Sequence, residues 1–546
     1  MKTAENAMMR MGTGLVASVA GLAGVAGAAR GDLTATVVAD YSTPVPGLAG
    51  ELFTDLLPPV IDDTGAVTFF GQWDIGAGSD TSIVHASAGG LERLLTGFDT
   101  LTDPAIQLRA LDGFAMSRAG LDAGVVIEAG VSNNVGVLLR LDGSGFREVY
   151  QRRTPSPVTE GGLDGLTAPF AINRGGDVAF AVSLDDTAGG FDDDQAIILF
   201  DKSADAATLR VREGDADGLG GTIAGTNVST GAFLDFQLGD DSAIVFSEGL
   251  SRERIALSRP GQPLSFLATE GATAPFGDAI TNLSPPAISN NGVVVFAAAE
   301  VNSRNLVAIG TAGAVTYGRY AGPAPEPVPS GDDLGVLQQA VRSRTDISDN
   351  GLMVLTGNTS LGDGIFLFDG SNYGAVARQN FAVPGGGVFD RALGLQPFTA
   401  NGPGQVLFRA EVDDAFSNRT EAILLFTPNV GTMRVVSEGD VIDGRTVANI
   451  GDLQLGDHGA GSLNNSGEVA LLLVFTDGTE AVVRFGPVGC PADLASPAGV
   501  LDFFDVLEYL ARFDAEDPSA DLAAPDGTFD FFDVLEYLSL FDAGCE

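Results

Sequence analysis

Two short phrases bring carboxylates close together, Glu213-Gly214-Asp215 and Glu438-Gly439-Asp440. Such pairs suit two kinds of chemistry. One acid can protonate a glycosidic oxygen while the other attacks or activates water, or both can offer hard oxygens to calcium. Related turns recur, however, as in FLATEGATAPFG from residue 266. An active site needs one copy unlike the rest, so the recurrence reads as a structural turn. His85 and His458, the two histidines, stand in neither an H-E-x-x-H phrase nor a cysteine cluster, and both read as satisfied loop or turn residues. The chain carries no G-x-S-x-G elbow, Walker lysine or Rossmann fingerprint opening a helix. Trp73, the single tryptophan, could be a stacking platform for sugar, but it follows directly on an apolar strand and reads as packing. No catalytic residue is assigned.

The elements that hold these residues repeat between 31 and 488. One phrase is an Asn/Asp-rich turn with glycine, followed by an alternating apolar strand: VIDDTGAVTFFG from 60, AINRGGDVAFAVSL from 171, SLNNSGEVALLLVF from 462, and further copies from 287, 346 and 399. Weaker copies at 114–130 and 235–250 bring the total to eight. Asn or Asp before Gly supplies the positive-φ position of a tight hairpin turn, and the V-x-F alternation turns one strand face to a core. A second phrase, a strand running into an acidic or proline-rich turn, follows each copy. Its first instance, TATVVADYSTPVPG from 34, precedes any turn phrase, and the last turn phrase lacks one. The two incomplete ends make one unit. The expectation is a mainly β fold, a β-propeller of eight blades whose N-terminal strand closes the last blade. A ring of seven blades or an open array of sheets is the alternative. Long loops on two faces would be available to a ligand the sequence does not name.

Composition narrows the partners. A net charge of -43 and a pI near 4.1 leave no basic stripe to displace counterions from phosphate, which argues against nucleic acid and anionic lipid. Lys2 and Arg10 precede the apolar run LVASVAGLAGVAGAA at 15–29, with Ala26-Gly27-Ala28 as a cleavage pattern. Residues 1–29 therefore read as a signal peptide, and the mature protein is expected to be secreted or held at the cell surface. No later apolar run is long enough to span a bilayer.

Residues 489–546 form a separate module. ADLASPAGVLDFFDVLEYLARFDA from 492 is repeated as ADLAAPDGTFDFFDVLEYLSLFDA from 520, and Cys490 and Cys545 bracket the pair. In an oxidising compartment that position argues for a disulfide rather than a two-thiol metal site. Each copy predicts a helix with an apolar stripe. In the first it is Phe503, Val506, Leu507, Leu510 and Phe513, and in the second Phe531, Val534, Leu535, Leu538 and Phe541. The two stripes are expected to bury against each other as a helix-pair core.

The stretch from Cys490-Pro491-Ala492-Asp493-Leu494 to Gly544-Cys545 resembles the cysteine-bracketed GC type of dockerin-like module that ends many exported bacterial proteins, through its C-P-A-D-L opening and D-F-F-D-V helix start. The resemblance implies anchoring through a cohesin-like or cell-surface partner. The body's turn phrases loosely resemble the repeats found upstream of such modules in uncharacterised exported proteins, which implies no activity. Dockerins are calcium modules with loops related to the EF-hand. With Gly499 at the sixth loop position, Asp502 and Asp505 fall at the ninth and twelfth, and Gly527, Asp530 and Asp533 match them in the second copy, with Asp526 at the fifth. The front half departs from the pattern: Asp493 and Asp521 stand one residue early, and Ser496, Ala498 and Ala524 occupy ligand positions. Calcium is therefore a possible ligand of a degenerate set and no cofactor is required. The same residues serve helix starts, with Asp502 as N-cap and Asp505 in the first turn. The sequence reads as a non-catalytic binding or scaffold protein with a docking module. The competing reading is an extracellular polysaccharide hydrolase or lyase carrying the same anchor.

Overall fold

A computed structural model describes residues from 33 to 543, apart from short stretches of which the longest are 224–232, 320–336 and 495–502. The expected signal peptide, Cys490, Cys545, Asp502, Asp526 and His458 lie outside the described residues.

Eight antiparallel sheets follow one another along the chain. Blades 1 to 7 occupy 55–96, 100–151, 162–212, 233–269, 280–319, 337–378 and 388–437. Blade 8 takes its inner strands from 441–487 and its outermost strand, Leu33–Asp40, from the start of the chain. That strand pairs antiparallel with Glu480–Pro487, in a register running from Leu33↔Pro487 to Asp40↔Ala481 with a bulge between Val37 and Ala39. The ring has eight blades, and its first strand closes the last one.

Closure also appears in the packing. Eight hydrophobic clusters fill the eight interfaces between neighbouring blades, including the one where Ala470, Leu472 and Val482 of blade 8 meet Phe53, Phe69 and Trp73 of blade 1. Each blade is sandwiched between two others, so its middle strands are buried on both faces. In blade 3 the strand Val178–Asp185 sends Val178, Phe180 and Val182 towards blade 2, and the smaller Ala179 and Ala181 towards blade 4. The alternation in the sequence thus separates large from small residues, where the sequence reading had assigned one face to a core and left the other unassigned.

The eight turn phrases close the innermost hairpins with one geometry. In blade 3 the Asn173 amide donates to the Asp177 carbonyl and the Gly176 amide to the Asn173 carbonyl, both at 3.1 Å. The fourth turn residue has φ between +58° and +90° in every blade, and it is glycine except for Ser242 in blade 4. Positive φ therefore falls on the glycine, which lacks the Cβ that would oppose it, and not on the Asn or Asp before it as the sequence had suggested.

Blade 8 carries one irregularity. Its inner strand Arg445–Ile450 is followed by residues 451–461, whereas the matching links in blades 1, 3 and 5 are only 57–59, 167–170 and 284–286. The extra segment crosses to other blades. The Gly461 carbonyl accepts from the Ile61 amide at 2.8 Å, the Ala460 amide donates to Met116 at 2.6 Å, and the Gly456 amide approaches Thr399 Oγ1 at 3.5 Å. It plugs part of the axis. Gly459, at φ +143°, lies so close to blade 2 that a Cβ would stand 2.3 Å from the Met116 carbonyl oxygen.

After the last blade, α1 (Phe503–Asp514) and α2 (Phe531–Ala543) repeat one sequence. Their tyrosines stack, Tyr509 on Tyr537, with ring centroids 3.9 Å apart.

Candidate functional site

In several of the turn phrases the first two residues lace the blades together around the axis. Asn173 Nδ2 donates to the Gly239 carbonyl at 3.2 Å, Asn401 Nδ2 to Asn464 at 2.8 Å, and Asn464 Nδ2 to Asp62 at 2.9 Å. Each donor belongs to the blade before its acceptor. The second residues run a parallel seam, in which the amides of Arg174, Asn290, Gly402 and Asn465 donate to the side chains of Asp240, Asp349, Asn465 and Asp63 at 2.8 to 3.1 Å. These buried and half-buried bonds explain why the phrases are rich in Asn and Asp. The sequence reading saw turn chemistry there and missed the contact with the next blade, whose only signal was the recurrence of amide side chains at fixed offsets.

Inside this ring, beside the plug, is a cavity of about 60 Å³. By the room one buried water needs, it holds roughly four to six water-sized groups. Arg118, Arg174, Asp240, Asn290 and Asp349 line it, with Gly456 and Gly459 of the plug. Arg174 is spent within the wall: it bonds Asp63, and its Nε stands 3.7 Å from Asp240. Burial raises the pKa of Asp240 above the usual carboxylate range, against the lowering effects of the Arg174 amide and the charges of Arg174 and Arg118, while the Asp349 charge raises it further. Arg118 gives its Nε to the Gly459 carbonyl at 3.1 Å. Among the described residues its two terminal nitrogens bond nothing.

The other residues singled out by the sequence have structural surroundings. The acidic turns at 213–215 and 438–440 make the same bonds. Gly214 donates to Ile223 and Gly439 to Val447, and the Asp215 and Asp440 carbonyls accept from those same two residues in return. The second links the outer strand of blade 7 to the inner strand Arg445–Ile450 of blade 8, and the first joins the end of the outer strand of blade 3 to Ile223. Trp73 is buried between blades 8 and 1. His85 is buried too, with Nδ1 2.9 Å from Thr68 Oγ1, and burial lowers its pKa against the opposing charge of Asp62. Among the described residues no three His, Cys, Asp or Glu side chains gather as a metal centre.

The helix pair departs from the expected core. Val506, Phe513, Val534 and Phe541 do pack against the central cluster. Phe503, Leu507 and Leu510, with Phe531, Leu535 and Leu538, instead point outward, 43 to 68% exposed. The buried face is built on Asp505 and Tyr509 of α1 and Asp533 and Tyr537 of α2. Polar tips explain the inversion, because each finds a partner inside. Tyr509 donates to the Ala520 carbonyl at 3.1 Å and Tyr537 to Ala492 at 2.9 Å, so each copy's tyrosine reaches the other copy's loop. Asp505 accepts from the Leu494 amide at 2.7 Å, and Asp533 from Leu522, Ala523 and Asp530 at 2.7 to 2.8 Å. The Asp530 and Ala523 amides, first among these, hold the Asp533 carboxyl below the usual range. Asp530 N-caps α2 by accepting from the Phe532 amide at 2.7 Å. In this arrangement the carboxylate at the twelfth loop position is occupied by backbone donors.

Several solved structures are similar to this chain at low identity. A prolyl endopeptidase is 12% identical with a TM-score of 0.39; the match covers 78% of this chain and 55% of that one. Prolyl oligopeptidase B from Galerina marginata is 9% identical at TM-score 0.38, over 81% of this chain and 57% of that one. Sqt1 from Saccharomyces cerevisiae is 11% identical at TM-score 0.36, over 84% and 100%. The chain spans little more than half of the two peptidases. No curated protein matches. A family model matches residues 13–247 and 343–484, stopping short of the helix pair, and by that match the chain belongs to a family of unknown function, DUF7453.

Proposed function

We propose that this chain is an exported, non-catalytic binding or scaffold protein, a propeller carried outside the cell and held there by its C-terminal helix pair. The observation that supports the docking role is the outward apolar face. Phe503, Phe504, Leu507 and Leu510 are exposed, and Phe531, Phe532, Leu535 and Leu538 repeat them. Exposed apolar groups in such density mark an interaction surface. Arg512 is the only cation between 489 and 546 and is paired with Glu508, so a partner with a basic rim fits the surroundings of this face. The turn phrases serve the lacing of the blades, which accounts for their acids without catalysis.

The test uses the full chain in its producing cell. Phe504→Ser with Phe532→Ser is expected to release the protein from the cell surface without changing its thermal melt. In parallel, the purified protein is incubated with a panel of polysaccharides. Turnover abolished by one Asp or Glu substitution establishes the hydrolase or lyase reading instead.

A further inference from the structure

Three turn phrases place asparagine directly before glycine: Asn291-Gly292 in blade 5, Asn350-Gly351 in blade 6 and Asn401-Gly402 in blade 7. In this dipeptide the glycine nitrogen can attack the asparagine side-chain carbonyl, because no Cβ on the second residue crowds the five-membered ring that forms. The three are not equivalent. Asn401 is buried, with Nδ2 given to the Asn464 carbonyl at 2.8 Å and to Gln405 Oε1 at 2.7 Å, and Oδ1 taking the Gln405 amide at 2.8 Å. Asn291 is exposed, but Gly292 after it is clamped. Arg259 bonds the Gly292 carbonyl at 2.7 Å, and a Cβ on Gly292 would stand 2.6 Å from the same guanidinium. Asn350 is exposed, and Gly351 has φ +85° with nothing among the described residues within 4 Å of where its Cβ would be.

The Asn350 side chain is also polarised for the reaction. Its Oδ1 accepts from the Ser348 hydroxyl and, at 3.3 Å, from the Leu352 amide, which it shares with Ser348 Oγ. Ser348 is buried, and the second acceptor its hydroxyl meets, the Leu352 carbonyl, is farther off at 3.2 Å. Two donors on a carbonyl oxygen stabilise the oxyanion that develops as a nucleophile adds. Nδ2, the leaving nitrogen, donates to the Pro403 carbonyl of blade 7 at 3.0 Å. One bond opposes the attack, from the Gly351 amide to the Ser348 carbonyl at 3.0 Å.

We propose that Asn350 is a site of spontaneous deamidation, and that the change loosens the seam between blades 6 and 7 as the protein ages. The Gly351 nitrogen bonds to Asn350 Cγ, the Cγ–Nδ2 bond breaks, and ammonia leaves with the proton that Gly351 gives up. Solvent water then opens the cyclic imide at either carbonyl, to aspartate or isoaspartate. The product carries a carboxylate where Nδ2 had held Pro403, adjacent in sequence to Asp349, so a donor across the seam is exchanged for like-charge repulsion.

The full chain is incubated at mildly alkaline pH, folded and in urea, and mass spectrometry of peptides spanning the three asparagines follows the exchange of amide for carboxylate. In urea the three sites are expected to react at similar rates. In the folded chain Asn350 is expected to react at least about tenfold faster than Asn291 or Asn401, and Ser348→Ala to slow it by at least about tenfold. Asn350→Asp is expected to lower the thermal midpoint. The ranking of the three sites in the unsubstituted chain decides the matter even where Ser348→Ala does not fold. An unmodified Asn350 in the folded chain, a rate there no higher than at Asn291 or Asn401, a folded Ser348→Ala protein that reacts as fast as the parent, or an Asn350→Asp protein that melts with the parent overturns the proposal.

Discussion

Asn464 Nδ2 donates to the carbonyl of Asp62 at 2.9 Å, joining residues 402 positions apart. The bond lies at the seam where the ring closes, next to the pairing of the N-terminal strand with Glu480–Pro487. The same bond joins blade 3 to 4 and blade 7 to 8, so closure uses the ordinary inter-blade contact of the repeat.

Replacing Asn464 with Ala leaves a buried carbonyl without its donor and removes a partner of Glu468. The expected cost is about 1–3 kcal/mol, read as a lower thermal midpoint. Asn401→Ala is expected to cost a similar amount, because its bond to Asn464 is the same contact one blade earlier.

Blade 1 lacks this donor, since Asp62 stands where blades 3, 7 and 8 have Asn. Its Oδ1 already accepts from Thr64 and Ala66, while Oδ2 is buried with no hydrogen-bond partner. Burial raises its pKa above the usual carboxylate value. A raised pKa in the folded state means that stability is fully present below the unfolded value and is lost as pH rises through the folded one. Asp62→Asn escapes that loss and adds a donor aimed at blade 2. It is expected to stabilise the protein by about 1 kcal/mol at pH 7, with the gain over the parent shrinking as pH falls towards 4. Melts across that range check both sign and window.

The plug depends on Gly459. Its φ of +143° and the 2.3 Å approach to a backbone oxygen leave no room for Ala. Gly459→Ala is expected to cost at least about 2 kcal/mol and to expose the amides of 459–461 to hydrogen exchange. Gly478→Ala is the control. Its φ is +82° with nothing within 4 Å, and the expected cost is about 1 kcal/mol.

In the helix pair Tyr537→Phe removes the donor to the Ala492 carbonyl while preserving the ring stack. A loss of about 1–2 kcal/mol is expected, seen as faster amide exchange in α1 and α2. A calcium chelator is expected to leave that exchange unchanged, because Asp533 is already occupied by three amides. Cys490→Ser is expected to destabilise the module by about 4 kcal/mol if the two cysteines are joined.

The sequence alone pointed to eight blades over seven or an open array, to the closing strand and to the helix pair. Those features are written locally, in turn residues at a constant offset and in strands whose apolar content survives repetition, so they can be read without knowing which segments meet. Only the tertiary structure decided where the asparagines point, because their partners lie in the next blade and, for Asn464, at the other end of the chain. The plug was illegible for the same reason. GDLQLGDHGAGS from 451 reads as a loop until the blades around it are in place. The helix pair shows the converse failure. Asp505 reads from the sequence as a first-turn acid and the tyrosines fall outside the apolar stripes, but a buried polar group costs little once its partner is fixed, and those partners are carbonyls and amides that only the folded loops supply. The axial cavity lay beyond the sequence altogether, because the residues that line it belong to separate blades and meet around one space only when the ring forms.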